Sequence, residues 1–250
     1  MTEPVLRLQG LQKRFASLVV TEDVTLDILP GETHAVIGPN GAGKTTLINQ
    51  ISGLIEPDGG RILFDGADVT RLPPQDRALR GLARSFQITS ILPGFPVVEN
   101  VALAVQARAG TSYRFFGRAA GEPALNRQAI AALEQTGIAD RAYVRAGELS
   151  HGEKRALELA IALAMEPKLL LLDEPMAGIG REETDRQVAL LRRLKQRFTV
   201  ILVEHDMAAV FALADRISVL IGGRILMTGA PEEVRADPQV TAAYLGEQVE

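Results

Sequence analysis

Short runs of β-branched and aliphatic residues, bounded by Pro and Gly, fill the first third of the chain. They lie at residues 5–8, 24–28, 33–37 and 61–64 and predict strands. A Gly-rich turn follows the third run, and residues 44–55 then predict a helix that ends before the turn signal at 57–60.

The hydrophobic period changes twice after this. Between residues 87 and 147 the apolar spacing is helical, which predicts a helical insertion. The unbroken aliphatic runs 169–172 and 199–203 then predict strands buried on both faces of a parallel sheet. Further elements follow the same alternation: helices at 182–197 and 207–214, and a hairpin at 217–220 and 224–227. We therefore expect an α/β core lobe from residues 1–86 and 148–250, with 87–147 inserted as a helical subdomain. The helix that starts at about residue 150 is expected at the edge of that subdomain.

Composition narrows the function classes. The 250 residues include no Cys and three His, which excludes thiolate chemistry and argues against a His-rich metal site. A net charge of −4 argues against a nucleic-acid partner. The longest uncharged stretch, 85–98, is 14 residues long, short of the roughly 20 that span a bilayer. Because the first ten residues lack a signal pattern, we expect a cytoplasmic protein.

The segment after the third strand fits the phosphate-binding pattern G-x-x-x-x-G-K-[ST]. Glycines let backbone N–H groups turn toward a phosphate, Lys44 neutralises β- and γ-phosphate oxygens, and the Thr45 hydroxyl ligates Mg²⁺. A Gly-rich turn with a chance lysine is the alternative, and the strand before and helix after disfavour it. The predicted ATP-binding residues here are Gly38, Pro39, Asn40, Gly41, Ala42, Gly43, Lys44, Thr45 and Thr46.

Two acidic residues end the strand at 169–172. Asp173 stands at the carboxyl end of a buried strand, where it can hold Mg²⁺ directly or through water. Glu174 can orient and deprotonate an attacking water. Two solvated acids after a core strand are the alternative, which the phosphate loop makes the weaker one.

A third motif decides between classes of phosphate-loop protein. No Asn-Lys-x-Asp guanine-reading motif occurs, which counts against a GTPase. Leu149-Ser150-His151-Gly152-Glu153 resembles the Leu-Ser-Gly-Gly-Gln signature of ATP-binding-cassette (ABC) ATPases, with His151 and Glu153 as departures. The same residues also read as a capping box, in which Ser150 caps the following helix, and both readings can hold.

The resemblance implies a P-loop NTPase (RecA-like) parallel-sheet core, an N-terminal antiparallel β-subdomain and an inserted helical subdomain. It implies that Ser150 and Gly152 contact the γ-phosphate held by a second ATPase subunit. Gln87 matches the glutamine that senses Mg²⁺ and water, and His205 matches the switch histidine that bonds the γ-phosphate. Phe15 matches the aromatic residue that stacks on adenine, although packing under a turn is an alternative. Gly180 departs from the family, which usually has Asp there.

Within the ABC group, four segments look most like the ATPases of branched-chain amino-acid importers: 81–87, 99–101, 203–207 and 244–247. The resemblance implies transmembrane permease subunits as partners, a periplasmic substrate-binding protein as an indirect one, and a place on the inner face of the membrane. Residues 91–95 are a candidate apolar contact for a permease, with burial in the core as the alternative. Two alternatives stay open: a soluble ABC ATPase of an assembly machine of the iron–sulfur type, and the ATPase of a lipid or lipopolysaccharide exporter.

Overall fold

A computed structural model describes residues 3–85, 91–110, 123–195 and 197–245. The chain forms two compact units, a core unit of residues 1–77 and 168–250 and a helical unit of residues 78–167. The observed helical unit begins before residue 87 and ends after residue 147, so it is longer at both ends than the predicted insertion. In the described ranges no helix combines the length and apolar character needed to cross a bilayer.

The first sheet of the core unit is antiparallel and contains the first two strands. Strands β1 (Leu6–Phe15) and β2 (Leu18–Ile28) pair along most of their length. Strand β4 (Gly59–Phe64) pairs with the other edge of β1, and the short β5 (Ala67–Asp68) completes the order β2-β1-β4-β5. Both β1 and β2 extend well beyond the predicted runs, because bulges after Leu8 interrupt the alternation of apolar residues.

The second sheet of the core unit is mainly parallel. Its strands are β3 (Thr33–Ile37), β7 (Leu169–Asp173), β8 (Thr199–Val203), β9 (Arg216–Ile221) and β10 (Arg224–Gly229). Their order is β10-β9-β3-β8-β7, and only the β9–β10 pair is antiparallel. Every residue of β3, β7 and β8 is buried, as expected for strands covered on both faces. This arrangement confirms the predicted fold class.

Helices of the core unit cover this sheet. Helix α1 directly follows the loop after β3, and α6 is shorter at its carboxyl end than the sequence predicted. The small helix α7 contributes Val210, which packs with Ala35, Ile217 and Val234 in one apolar cluster. The helices are α1 (Lys44–Ser52), α2 (Pro74–Leu79, at the boundary of the two units), α6 (Arg181–Leu194), α7 (Met207–Leu213), α8 (Pro231–Ala236) and α9 (Pro238–Leu245).

The helical unit is built on three long helices. They are α3 (Val97–Arg108), α4 (Pro123–Thr136) and α5 (His151–Ala164), preceded by the short strand β6 (Leu82–Ser85). One apolar cluster joins Val101 of α3, Leu133 of α4 and Leu157 of α5. Because α5 buries its apolar face in this cluster, it belongs to the helical unit. The sequence predicts this helix at the edge of the helical subdomain.

Candidate active site

The predicted site residues of the core unit share one edge of the parallel sheet. Asp173 ends β7 and lies level with Val203 of β8, and Val36 of β3 lies level with the same residue. The loops that begin after these strands carry the phosphate loop, Glu174 and His205. In open α/β sheets, ligands bind outside the carboxyl ends of the strands, so the fold brings these predicted residues to the expected edge.

The phosphate loop ends at the amino terminus of α1. Its last residue, Gly43, caps the helix in a left-handed conformation without a side-chain hydrogen bond, and the first turn has no acidic residue. The first N–H groups of the helix and its positive end therefore suit an anion. The buried Lys44 ammonium donates to the carbonyl oxygens of Gly38 at 2.5 Å and Pro39 at 3.0 Å, which keeps its charge against the loop.

Backbone from two other elements encloses this loop. Gly43 has φ +104°, and a Cβ atom there would lie 2.4 Å from the carbonyl oxygen of Val20 on β2. The Gly223 N–H, in the turn between β9 and β10, donates to the Ala42 carbonyl at 3.0 Å, and the Glu22 N–H donates to the Gly223 carbonyl at 2.8 Å. The path of the phosphate loop is thus fixed by close backbone contacts as well as by its own sequence.

The residues present offer oxygen ligands that suit a magnesium ion. Thr45 lies in the first turn of α1, next to Thr46, and Asp173 is buried at the end of β7. Hydroxyl and carboxylate oxygens are the ligands Mg²⁺ takes, and it commonly uses one or two protein groups together with phosphate oxygens and water. In the ranges that the structure describes, no group of three or more His, Cys, Asp or Glu is arranged to hold a metal ion.

Glu174 adopts an unusual backbone conformation. Its φ is +48°, in the left-handed region, and its N–H donates to the Val203 carbonyl at 2.8 Å. A non-glycine residue held in this region is strained by about 1–3 kcal/mol, and such strain often marks a functional position. The bond to Val203 fixes the start of the loop that follows β7 against the end of β8.

His205 follows β8 directly. Its side chain is 63% exposed, so its imidazole is accessible at the sheet edge. The next residue, Asp206, caps α7 by accepting hydrogen bonds from the N–H groups of Ala208 and Ala209 at 2.9 and 3.2 Å. The cap fixes where α7 begins and therefore where the His205 segment ends.

Phe15 lies at the tip of the β1–β2 hairpin. Its side chain is 46% exposed, and it pairs with Leu18, which is 64% exposed. The Lys13 ammonium lies 5.5 Å from the centre of the Phe15 ring. This exposure disfavours the alternative in which the ring packs under a turn, and stacking on a base stays a prediction.

The predicted capping box is confirmed. Ser150 is the N-cap of α5, and its hydroxyl accepts from the Glu153 N–H at 3.3 Å. The Glu153 carboxylate accepts from the Ser150 N–H at 2.8 Å and pairs with Arg141 at 2.7 Å. These bonds, that to the Ser150 N–H first, hold the pKa of Glu153 below its ordinary value. Ser150 and Gly152 belong to the helical unit, whereas the other described site residues belong to the core unit.

Gly180, the departure from the family pattern, is the N-cap of α6. It offers no side-chain acceptor. Its carbonyl accepts from the N–H groups of Glu183 and Thr184 at 3.0 and 2.9 Å and from the Thr184 hydroxyl at 3.2 Å. Glu182 and Glu183 in the first turn supply the negative charge that a helix amino terminus favours. Gln87, the remaining predicted site residue, lies outside the described residues.

Sequence reasoning missed one residue at this edge. Glu204 precedes His205, is 1% exposed, and accepts three backbone hydrogen bonds from the two loops that follow β7 and β8. The available signal was an acidic residue at the end of an otherwise aliphatic strand. Its partners could not be read from the sequence, because one of them is 28 residues away.

Two family profiles match the sequence. The profile described as "ABC transporter" matches residues 21–177. The profile described as "Branched-chain amino acid ATP-binding cassette transporter" matches residues 224–250.

Individual proteins agree with the profiles. The chain is 38% identical to the high-affinity branched-chain amino acid transport ATP-binding protein LivG of Escherichia coli (strain K12), over 99% of this chain and all of the relative. It is 37% identical to the corresponding protein BraF of Pseudomonas aeruginosa, with the same coverage. Among solved structures, the ADP conformation of MJ1267, an ATP-binding cassette of an ABC transporter, has a TM-score of 0.86 and 29% identity, covering 98% of this chain and 100% of that one.

Proposed function

This chain belongs to the ABC transporter ATP-binding family, and from that premise we propose that it powers the import of branched-chain amino acids or related amides. As a family member it is an ATP-binding and ATP-hydrolysing subunit of a transporter. The observation that carries the proposal is the common sheet edge of the phosphate loop, Asp173, Glu174 and His205. The profile match at 224–250 supports the substrate class over the assembly-machine and lipid-export alternatives.

In the proposed mechanism, the α1 amino terminus and Lys44 bind the triphosphate. Glu174 takes a proton from the attacking water as its oxygen bonds to the γ-phosphorus, and the bond to the β-phosphate oxygen breaks to give ADP and phosphate. His205 donates to the γ-phosphate and stabilises its charge in the transition state. Gln87, by its resemblance, senses the water and the metal.

Thr45 and Asp173 are the residues that we propose to hold Mg²⁺, with Gln87 as a further ligand. When bound, the ion would neutralise the negative charge of the phosphate oxygens. Their oxygens are the hard donors that this ion prefers. Phe15, exposed at its hairpin tip, is the proposed stacking partner for adenine.

A second copy of an ATPase subunit completes each site in this proposal. Ser150 and Gly152 stand at the amino terminus of α5, a 14-residue helix whose first N–H groups suit an anion. They would contact the γ-phosphate bound to the partner subunit, so that ATP binding closes the dimer and hydrolysis reopens it. Either an identical or a related chain can serve as that partner.

The proposed permease contact is on the helical unit. Leu92 and Phe95 are 41% and 47% exposed, and Leu103 on α3 is 41% exposed. The buried Asn100 fixes the first of these residues: its side-chain oxygen accepts from the Leu92 N–H at 2.7 Å, and its amide donates to the Leu92 carbonyl at 3.2 Å. A rigid segment that presents apolar side chains suits docking to a membrane subunit. The proposed location is accordingly the inner face of the cell membrane, with a periplasmic binding protein as an indirect partner.

The substitution Glu174→Gln tests the proposed catalytic step. Turnover should fall by at least about 100-fold, the usual effect of losing a general base, while ATP binding persists and ATP-bound dimers accumulate. The measurements are phosphate release and size-exclusion chromatography with ATP and Mg²⁺. Glu182→Gln, which neutralises an exposed carboxylate on α6, is the matched control and should leave both unchanged. Wild-type turnover in Glu174→Gln would refute the base assignment.

Transport measurements test the substrate class. The chain is coexpressed with permease and binding-protein partners, and transport is measured in vesicles that contain them. These vesicles should show ATP-dependent uptake of radiolabelled leucine, isoleucine or valine. Uptake of an amide instead would retain the importer and change the cargo. ATP-driven movement of a lipid in the opposite direction would refute the import proposal.

A further inference from the structure

The carboxylate of Glu204 lies between the two loops that carry the proposed catalytic groups. The residue stands immediately after β8 and is 1% exposed. A carboxylate removed from water in this way needs hydrogen-bond donors, because burying an unpaired charge is strongly unfavourable. Among the residues that the structure describes, its donors are all backbone N–H groups, which are present whatever the side chains of the loops.

The two oxygens of this carboxylate serve different loops. Oε1 accepts from the Met176 N–H at 2.7 Å, in the loop that follows β7. Oε2 accepts from the N–H groups of His205 at 3.0 Å and Asp206 at 3.3 Å, in the loop that follows β8. The imidazole Nδ1 of His205 lies 3.8 Å from Oε2. One buried charge is therefore bonded to both loops at once.

These bonds restrain the two groups proposed to act on ATP. Met176 is two residues beyond Glu174, whose own N–H is fixed to the Val203 carbonyl at 2.8 Å and whose φ is +48°. The strained residue is thus held on both sides, by β8 before it and by Glu204 after it. His205 is held through its own N–H. Hydrogen bonds to an ionised acceptor are about twice as strong as neutral ones, which suits this carboxylate to fixing two loops.

We propose that Glu204 is a positioning residue for ATP hydrolysis, which sets Glu174 and His205 in their working geometry by clamping the loops after β7 and β8. The inference rests on the proposed roles of those two residues. In this proposed role Glu204 does not contact the nucleotide. It acts through Met176 and His205, so its loss should lower kcat and leave nucleotide binding by the phosphate loop intact.

The substitution Glu204→Gln distinguishes the positioning role from a side chain that merely fills space. Glu204→Gln keeps the shape of the side chain but retains only one acceptor oxygen, and its NH₂ group faces N–H donors on the other side. One loop therefore loses its anchor. Glu204→Asp keeps the charge but shortens the side chain by one methylene, so it should reach one loop well and the other poorly, and it provides a second variant should the glutamine form fold badly.

The experiment uses the full-length chain with ATP and Mg²⁺. The measurements are kcat by phosphate release, the Kd of a fluorescent ATP analogue, and Tm. Glu32→Gln is the matched control, because Glu32 is also a buried acid with backbone and side-chain donors but precedes β3, at the opposite edge of the sheet. Glu204→Gln should reduce kcat by about 10- to 100-fold, the usual effect of removing a residue that orients a catalytic group, with Kd within about twofold. Glu204→Asp should fall between the wild type and Glu204→Gln.

The control should lower Tm but leave kcat within about twofold. A Glu204→Gln enzyme with wild-type kcat would overturn the inference, as would a loss that merely follows the folded fraction in the same way as the control. Glu174→Gln, assayed in parallel, keeps the two hypotheses apart. If Glu174→Gln is inactive and Glu204→Gln is fully active, only the clamp is refuted, whereas an active Glu174→Gln refutes the catalytic assignment on which the clamp rests.

Discussion

Arg77 gives the sharpest stability prediction for the core unit. Its guanidinium is 1% exposed and bonds only to backbone carbonyls in the contacts described: those of Gln50 and Ile51 at 2.7 Å, and those of Leu72 and Thr70 at 2.9 Å. Two of these carbonyls belong to the last turn of α1, whose amino terminus forms the end of the phosphate loop. A cation there also matches the negative end of the helix.

Substitution of Arg77 by methionine removes the charge and all four bonds while filling much of the volume. Four bonds from a charged donor contribute about 1.5 kcal/mol each, or about 6 kcal/mol. Burial also lowers the pKa of Arg77 to about 10, so desolvation opposes the charged form, and methionine, which carries no charge to desolvate, recovers about half of this loss by packing in the same volume. The free energy of unfolding should therefore fall by about 3 kcal/mol, which corresponds to a decrease in Tm of about 6–12 °C for a chain of this size.

The assay is thermal unfolding of Arg77→Met followed by circular dichroism, with amide hydrogen exchange as a local probe. The amides of Gly53, Leu54 and Ile55, which donate to the last carbonyls of α1, should exchange faster. Arg71→Met is the control, because Arg71 is on the same segment but 89% exposed, and it should change the free energy of unfolding by no more than about 0.5 kcal/mol. A decrease in Tm below about 2 °C for Arg77→Met would refute the reasoning.

Three further predictions concern binding, capping and pH. Lys44→Ala should weaken ATP binding by about 10- to 100-fold in calorimetry, because a charged donor is lost, and unchanged affinity would contradict the proposed role of Lys44. Ser150→Ala should cost about 1 kcal/mol, seen as a lower Tm, because the α5 cap is lost. Burial raises the pKa of Glu158 to about 7, so its stabilising contribution is present below about pH 4.5 and lost as pH rises through 7. Glu158→Gln should therefore raise Tm more at pH 8 than at pH 5, by the equivalent of about 1–2 kcal/mol, and an equal effect at both pH values would contradict this.

Much of the core could be predicted because local pattern and global fold agree there. The aliphatic runs that became β7 and β8 admit few alternatives, and the phosphate loop is contiguous in sequence. Strand β1 was harder to predict, because Gly10 and the register shifts after Leu8 break the alternation that marks a strand. The bounds of the helical unit were hard to predict for a different reason: the apolar face of α5 fits either unit, and only its packing against α3 and α4 includes the whole helix in the helical unit.

Sequence motifs could not identify the residues that act through backbone partners. Arg77 and Glu204 match no catalytic pattern, and each is defined by carbonyl or N–H groups that lie far away in the chain, such as Gln50 for Arg77 and Met176 for Glu204. A buried charge can be recognised as unusual from sequence only if the strand or helix around it is known. The structure supplies that context, and with it the partners.

The contact between Gly43, Gly223 and the Val20 carbonyl has a consequence for how this sequence can diverge. Because the nearest contact on β2 is made by a main-chain oxygen, it does not depend on the identity of the Val20 side chain, while any insertion or deletion that shifts the hairpin by one residue displaces the backbone that encloses the phosphate loop. Mutational scanning should therefore find residue 20 permissive to exchange and intolerant of changes in length, a signature opposite to that of an ordinary surface hairpin.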